Sequence, residues 1–100
     1  MHARVTTARV EPDRVGELSF IYDSDIAHAA RRQRGFEGTF LLADDETGTI
    51  LSITLWETEA DMLAGEASGY YREQLAKYNG PFVSPPTPEH YEVKVRRFPD

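Results

Sequence analysis

The chain has one tryptophan, five tyrosines, three histidines and no cysteine, so any chemistry it performs rests on few residues. Trp56 ends the run Ser52-Ile53-Thr54-Leu55-Trp56. On a strand, alternate positions share a face, which would set the hydroxyls of Ser52 and Thr54 beside a broad ring as the wall of a pocket for a flat ligand. The simpler reading is that Trp56 anchors the core beneath the second helix, because aromatic side chains bury large areas, and the two roles are not exclusive. Asp25 has the most unusual placement. On a regular helix it falls inside the stripe made by Leu18, Tyr22 and Ala29. An acid buried there has its pKa raised and can take a proton from a phenol. If the helix bends at Asp23-Ser24, Asp25 instead caps a turn or pairs with an arginine in water. Tyr22, Tyr70 and Tyr71 either hydrogen-bond a substrate oxygen from the helical side or pack in the core with their hydroxyls at its edge. His2, His28 and His90 are far apart and lack companions at ligand spacing, so no metal site is expected. No phosphate-binding glycine loop, nucleophile elbow or Schiff-base lysine motif is present.

The elements that must position these residues follow from periodicity and punctuation. His2 to Val10 reads as a strand. Glu11-Pro12-Asp13 opens a helix, with proline at the first position and an acid near the positive end of the dipole. Val15, Leu18, Tyr22, Ile26 and Ala29 carry its inner stripe, the weak helix formers Tyr22 to Asp25 allow a kink, and Gly35 follows its end. Phe36 to Ala43 and Thr49 to Glu57 flank the polar turn Asp44 to Gly48 and form an antiparallel hairpin. Thr58-Glu59-Ala60-Asp61 caps a second helix with an inner stripe of Ala60, Ala64, Ala67, Tyr71, Leu75 and Tyr78 and a bend near Ser68-Gly69. Asn79-Gly80-Pro81 ends that helix. Ser84 to Pro88 is expected as an extended connector, and His90 to Phe98 as a last strand.

The order is β-α-β-β-α-β, an α+β class, ferredoxin-like arrangement in one domain over residues 1–100, with two helices on one face of a four-stranded antiparallel sheet. The helices cover one face only. Yet Phe40-Leu41-Leu42-Ala43, Ile50-Leu51 and Leu55-Trp56 are apolar at consecutive positions, which on a strand point to both faces. A second copy packed sheet to sheet is the simplest cover, so a homodimer is expected. The net charge of −6 argues against nucleic acid and anionic membranes as partners. No segment has the apolar length of a membrane span or a signal sequence, and the expected location is cytoplasmic.

With these elements placed, the chain resembles the antibiotic-biosynthesis-monooxygenase superfamily of dimeric α+β barrels. The resemblance is carried by Arg34 to Gly38, by the turn Asp44 to Gly48, and by Ser52 to Thr58 running into the second helix. It implies the fold and the dimer. It also implies one of several activities, since members include cofactor-independent oxygenases of polycyclic phenols, quinol oxygenases and haem-degrading oxygenases. The haem-degrading members use an asparagine on the first strand, a tryptophan ending the third strand and a histidine on the second helix. Trp56 matches the tryptophan, but the first strand offers Thr6 and Thr7, and the helix after Trp56 has no histidine. No cofactor is therefore expected. Two readings follow. In one, the protein is a cofactor-independent monooxygenase of a small aromatic phenol or quinol, with Trp56, Ser52 and Thr54 as the wall, Tyr22 and Tyr71 orienting the ligand and Asp25 as base. In the other, it is a non-catalytic dimeric ligand-binding or structural module. A cavity beside Trp56, against a filled core, separates them.

Overall fold

In the computed structural model, which describes residues 1–78 and 80–99, four strands form one antiparallel sheet in the order β2-β3-β1-β4. They are β1 (His2–Val10), β2 (Phe36–Asp44), β3 (Thr49–Trp56) and β4 (Phe82–Glu92). The central pair sets the site's register: Arg4 lies opposite Thr54, Thr6 opposite Ser52 and Ala8 opposite Ile50. Those residues share the face that the helices cover. Val10, Leu18, Met62 and Trp56 are the most deeply buried large side chains.

The first helical segment starts with a 3-10 turn at Pro12–Arg14, runs as α1 (Val15–Ile21), widens into a π-helical turn at Tyr22–Ile26 and finishes as α2 (Ala27–Ala30). Its inward residues are Val15, Leu18, Tyr22, Ile26 and Ala30. Three consecutive spacings of four drift by about 40° each on a helix of 3.6 residues per turn. The wider π turn takes up that drift, so the kink expected at Tyr22 to Asp25 exists and has this form. It also corrects the placement of Asp25. On a regular helix Asp25 would lie within about 20° of Leu18; the under-rotated turn puts Ile26 on the inward line and leaves Asp25 exposed.

The second helical segment is α3 (Glu59–Ala67) followed by α4 (Tyr70–Ala76), broken at Gly69, whose φ of 88° is left-handed. Thr58 caps α3 by accepting the amide of Asp61 at 3.0 Å. The stripe expected through Ala60, Ala64 and Ala67 is not the inner face: all three are exposed, and Met62 and Gly65 are buried instead. Burying one methionine removes more apolar area from water than burying an alanine, and Met62 sets the phase. Past the break the expected stripe resumes, with Tyr78 buried and Tyr71 and Leu75 half-buried. Of the expected terminator Asn79-Gly80-Pro81, Asn79 lies outside the described residues.

β4 is the largest departure from the sequence expectation. It begins at Phe82, takes in Pro85, Pro86 and Pro88, and stops at Glu92, so the expected connector is strand and the segment from Val93 onward is not. Prolines survive here because β4 is an edge, where amides on one side have no strand to meet. The pairing with β1 breaks register between Thr7 and Arg9, opposite the stretch that holds Pro85 and Pro86. Two glycines fix the connections. Gly48 has a φ of 78° and presses on the Val10 carbonyl, and Gly35, at 79°, lies against the Asp61 carboxylate, so neither site has room for a Cβ.

The other face of the sheet is apolar and uncovered in the single chain. Phe40 and Leu42 are each 49% exposed, and Tyr91 is 51% exposed. Val5, Ile53 and Phe40 stand in one cross-strand row, with Ala3, Leu55 and Tyr91 in the next. Among the described residues no helix is long and apolar enough to cross a membrane.

Candidate active site beside Trp56

A cavity of about 70 Å³ lies between the sheet and the helices. β1 contributes Arg4 and Thr6, β3 contributes Ser52, Thr54 and Trp56, the π turn contributes Tyr22, and α4 contributes Tyr70, Tyr71 and Gln74. Trp56, Ser52, Thr54, Tyr22 and Tyr71, the ligand-binding residues expected from the sequence, therefore line one space. Asp25 does not line it, and its side chain is exposed rather than buried.

Most of the hydroxyls are already engaged. Tyr22 Oη hydrogen-bonds Ser52 Oγ at 2.8 Å and also contacts Thr39 Oγ1. Tyr71 Oη hydrogen-bonds Thr6 Oγ1 at 3.2 Å, and the Trp56 indole donates to Thr54 Oγ1 at 3.0 Å. Trp56 is 1% exposed and meets Phe36 edge to face at a centroid separation of 5.6 Å. It is thus a core anchor and a cavity wall at once.

Arg4 was not singled out by the sequence, and it dominates the site's electrostatics. It is 3% exposed. Its Nε donates to Glu66 Oε2 at 3.1 Å and its Nη2 to the Met62 carbonyl at 2.6 Å. The guanidinium lies 4.8 Å from the Tyr71 ring centroid and 5.5 Å from that of Trp56, a double cation–π arrangement. Nη1 donates to no protein group among the described residues. On its solvent side Glu66 Oε2 also meets His90 Nε2 at 2.7 Å. A sequence signal for Arg4 did exist: Arg4 and Arg9 are five apart on β1, so they point to opposite faces, and one of them has to lie under the helices.

Two polar atoms in the lining are buried and unsatisfied, Tyr70 Oη and Gln74 Oε1. Burial raises the Tyr70 and Tyr71 phenols above their ordinary value; Arg4 opposes the shift at both, and the Thr6 hydrogen bond also opposes it at Tyr71. Burial also pushes Tyr78 far up, with Tyr22 and Tyr71 adding to the effect. The tyrosines of the lining with raised values are therefore hydrogen-bond donors at neutral pH. The cavity combines a fixed cation, neutral phenols and a flat indole, a set that stabilises an anionic oxygen on an aromatic ligand. It does not suit haem. Among the described residues no histidine, cysteine or methionine lines it, so it offers none of these as an axial ligand for iron.

Comparison with known proteins places this geometry in context. The family described as Antibiotic biosynthesis monooxygenase matches residues 1–77. A Bordetella bronchiseptica protein assigned to that family superposes with a TM-score of 0.77 at 20% identity, covering 94% of this chain and 97% of its own. A Streptomyces coelicolor monooxygenase from the gene ActVA-Orf6, in complex with the ligand nanaomycin D, gives 0.73 at 19% identity, covering 99% and 92%. The Mycobacterium tuberculosis heme-degrader MhuD, with two hemes bound in its active site, gives 0.78 at 18%, covering 98% and 100%. No curated protein sequence matches the chain.

Proposed function

Because this chain belongs to the antibiotic biosynthesis monooxygenase family, we propose that it is a cofactor-independent monooxygenase of a small aromatic phenol or quinol. The observation that carries this reading is the buried guanidinium of Arg4 facing a cavity beside Trp56. A permanent cation favours the phenolate over the phenol and so performs part of the work of a base. The phenolate gives electrons directly to oxygen. One oxygen atom enters at a ring carbon that loses its hydrogen, the other leaves as water, and phenol plus O2 becomes quinone plus water. A quinol gives the hydroxyquinone and water in the same way. Trp56 forms the wall against which the ring lies, Ser52 and Thr54 line it on the sheet side, and Tyr22 and Tyr71 orient the ligand from the helices.

The second reading, a non-catalytic dimeric ligand-binding or structural module, is favoured by the cavity's size. About 70 Å³ is less than half of the roughly 150 Å³ cavity that accommodates benzene. Under the oxygenase reading α4 shifts outward to admit the ring; Gly69 supplies the break, and Tyr71 to Thr6 is the one hydrogen bond from an α4 side chain into the sheet among the described residues. Oxygen uptake under phenols and quinols decides the matter. The expected result is one O2 consumed per quinone formed, lost in Arg4→Met and retained in Asp25→Asn. Ligand binding without uptake assigns the protein to the second reading.

The proposed assembly is a homodimer closed across the apolar outer face of the sheet. Phe40, Leu42 and Tyr91 would be its centre. Burying them against a copy removes apolar area that a domain this small cannot cover itself.

A further inference from the structure

Outside the cavity, three charged or titratable groups converge on one atom. Arg4 and His90 are direct cross-strand partners on β1 and β4, so their side chains share the sheet face that the helices cover. Glu66, in the last turn of α3, meets both of them. Its Oε2 accepts from Arg4 Nε at 3.1 Å and from His90 Nε2 at 2.7 Å. An ionised carboxylate only accepts hydrogen bonds. The His90 ring must therefore carry a proton on Nε2, whether the ring is neutral or charged. Among the described residues nothing else fixes this carboxylate. The Glu66 side chain is 26% exposed, and Oε1 has no protein partner. Arginine and carboxylate frequently pair through two parallel bonds. Here Arg4 Nη2 goes instead to the Met62 carbonyl, which leaves Glu66 a single bond to the guanidinium. The shorter of its two bonds is the one to His90.

We propose that His90 is a positioning residue for Arg4: its Nε2–H holds the Glu66 carboxylate on Arg4 Nε, and that hold fixes the guanidinium where its charge meets the cavity. The Met62 carbonyl secures one end of the guanidinium, and the rings of Tyr71 and Trp56 bound it on either side. The Nε end is secured only through Glu66, and Glu66 is secured through the surface of β4. His90 itself does not line the cavity; it opens onto an outer groove with His2, Glu59, Glu92 and Lys94. Its importance to the reaction rests on the reading that Arg4 stabilises an anionic oxygen in the cavity, whereas the hold on Arg4 does not. Under that reading the placement matters, because displacing a group at a reacting centre by about 1 Å can cost on the order of a hundredfold in rate. A contact between an exposed histidine and a partly exposed carboxylate adds little to stability by itself. A merely structural His90 would therefore leave Arg4 indifferent to the residue at position 90.

Nitrogen-15 NMR of the whole chain reads both ends of the array without any ligand. In the wild type, neutral His90 should be the Nε2–H tautomer, and Arg4 Nε–H should exchange with water far more slowly than the same group of the exposed arginines. His90→Ala should speed that exchange at least about tenfold. His90→Gln, whose amide nitrogen can donate from nearly the place of Nε2, should restore it to within about threefold. Both variants should unfold within about 4 °C of the wild type, since the altered contact is exposed. Oxygen uptake with phenols should fall in His90→Ala and recover in His90→Gln. An Nδ1–H tautomer at His90 would overturn the proposal. So would an Arg4 Nε–H that exchanges as fast as the exposed ones, that is unaffected by His90→Ala, or that glutamine protects no better than alanine. Turnover that is unchanged in His90→Ala despite faster exchange would overturn it as well. A chain that consumes no oxygen with any phenol sinks the proposed function, while the exchange rates still decide whether His90 positions Arg4.

Discussion

Arg4 holds the site together through the bonds that restrict its own movement. Its side chain is nearly inaccessible, and the carboxylate it meets is partly open to water. Replacing Arg4 by methionine alone strands Glu66 beneath His90, and the loss should approach about 3 kcal/mol, the lower end for a broken buried pair because Glu66 is partly solvated. Pairing it with Glu66→Gln should recover most of that loss, as measured by urea unfolding. The tyrosines make a separate prediction. Tyr70, Tyr71 and Tyr78 have folded-state values above the ordinary 10.0, chiefly through burial. Above that pH the unfolded chain releases protons that the folded chain retains, so stability is present below pH 10.0 and is lost as pH rises toward the folded-state values. A Tm profile should bend downward in that alkaline range, less steeply for Tyr78→Phe. At this scale the sequence was readable where strand alternation sufficed, as for Ser52, Thr54 and Trp56. Arg4 and Gln74 escaped because charged and amide side chains are ordinarily solvated, and only tertiary packing shows that these two are enclosed.

The elements depart from their ideal forms at the positions the site uses. The π turn keeps Tyr22 on the inward line and turns Asp25 out, and the left-handed Gly69 lets α4 adopt a phase that α3 does not share. Alanine at position 69 would place its Cβ within 4 Å of no neighbouring atom. Its cost is therefore backbone strain alone, about 1–2 kcal/mol, and should appear as a lowered urea midpoint with ligand specificity intact. Strand β1, the hairpin and the Thr58 cap could be read from the sequence because alternation, turn residues and a capping threonine are local signals. The phase of α3 and the extent of β4 could not. The first depended on Met62 outweighing three alanines, and the second on β4 being an edge, which no residue within β4 reveals. The expectation for Asp25 assumed a regular helix, and one wide turn overturned it.

For the whole molecule, the uncovered face of the sheet predicts assembly. The wild-type chain should sediment as a dimer at micromolar concentration, and Phe40→Asp with Leu42→Asp should sediment as a monomer with a lower Tm. The Tm should depend on protein concentration in the wild type and not in the double variant. A wild-type chain that stays monomeric on concentration would remove the dimer from the proposed function.

The proline-bearing edge has a consequence for how large such an assembly can become. Pro85, Pro86 and Pro88 lack amide hydrogens, so along that border β4 offers an incoming chain few donors with which to form another row of the sheet. Growth by strand addition, the route to filaments, is discouraged at this border. The apolar rows of Phe40 and Tyr91 can still meet their like across a two-fold axis, which uses up the surface once and leaves none for a third copy. A sticky sheet with a blunted rim is thus compatible with a soluble, finite particle at high concentration.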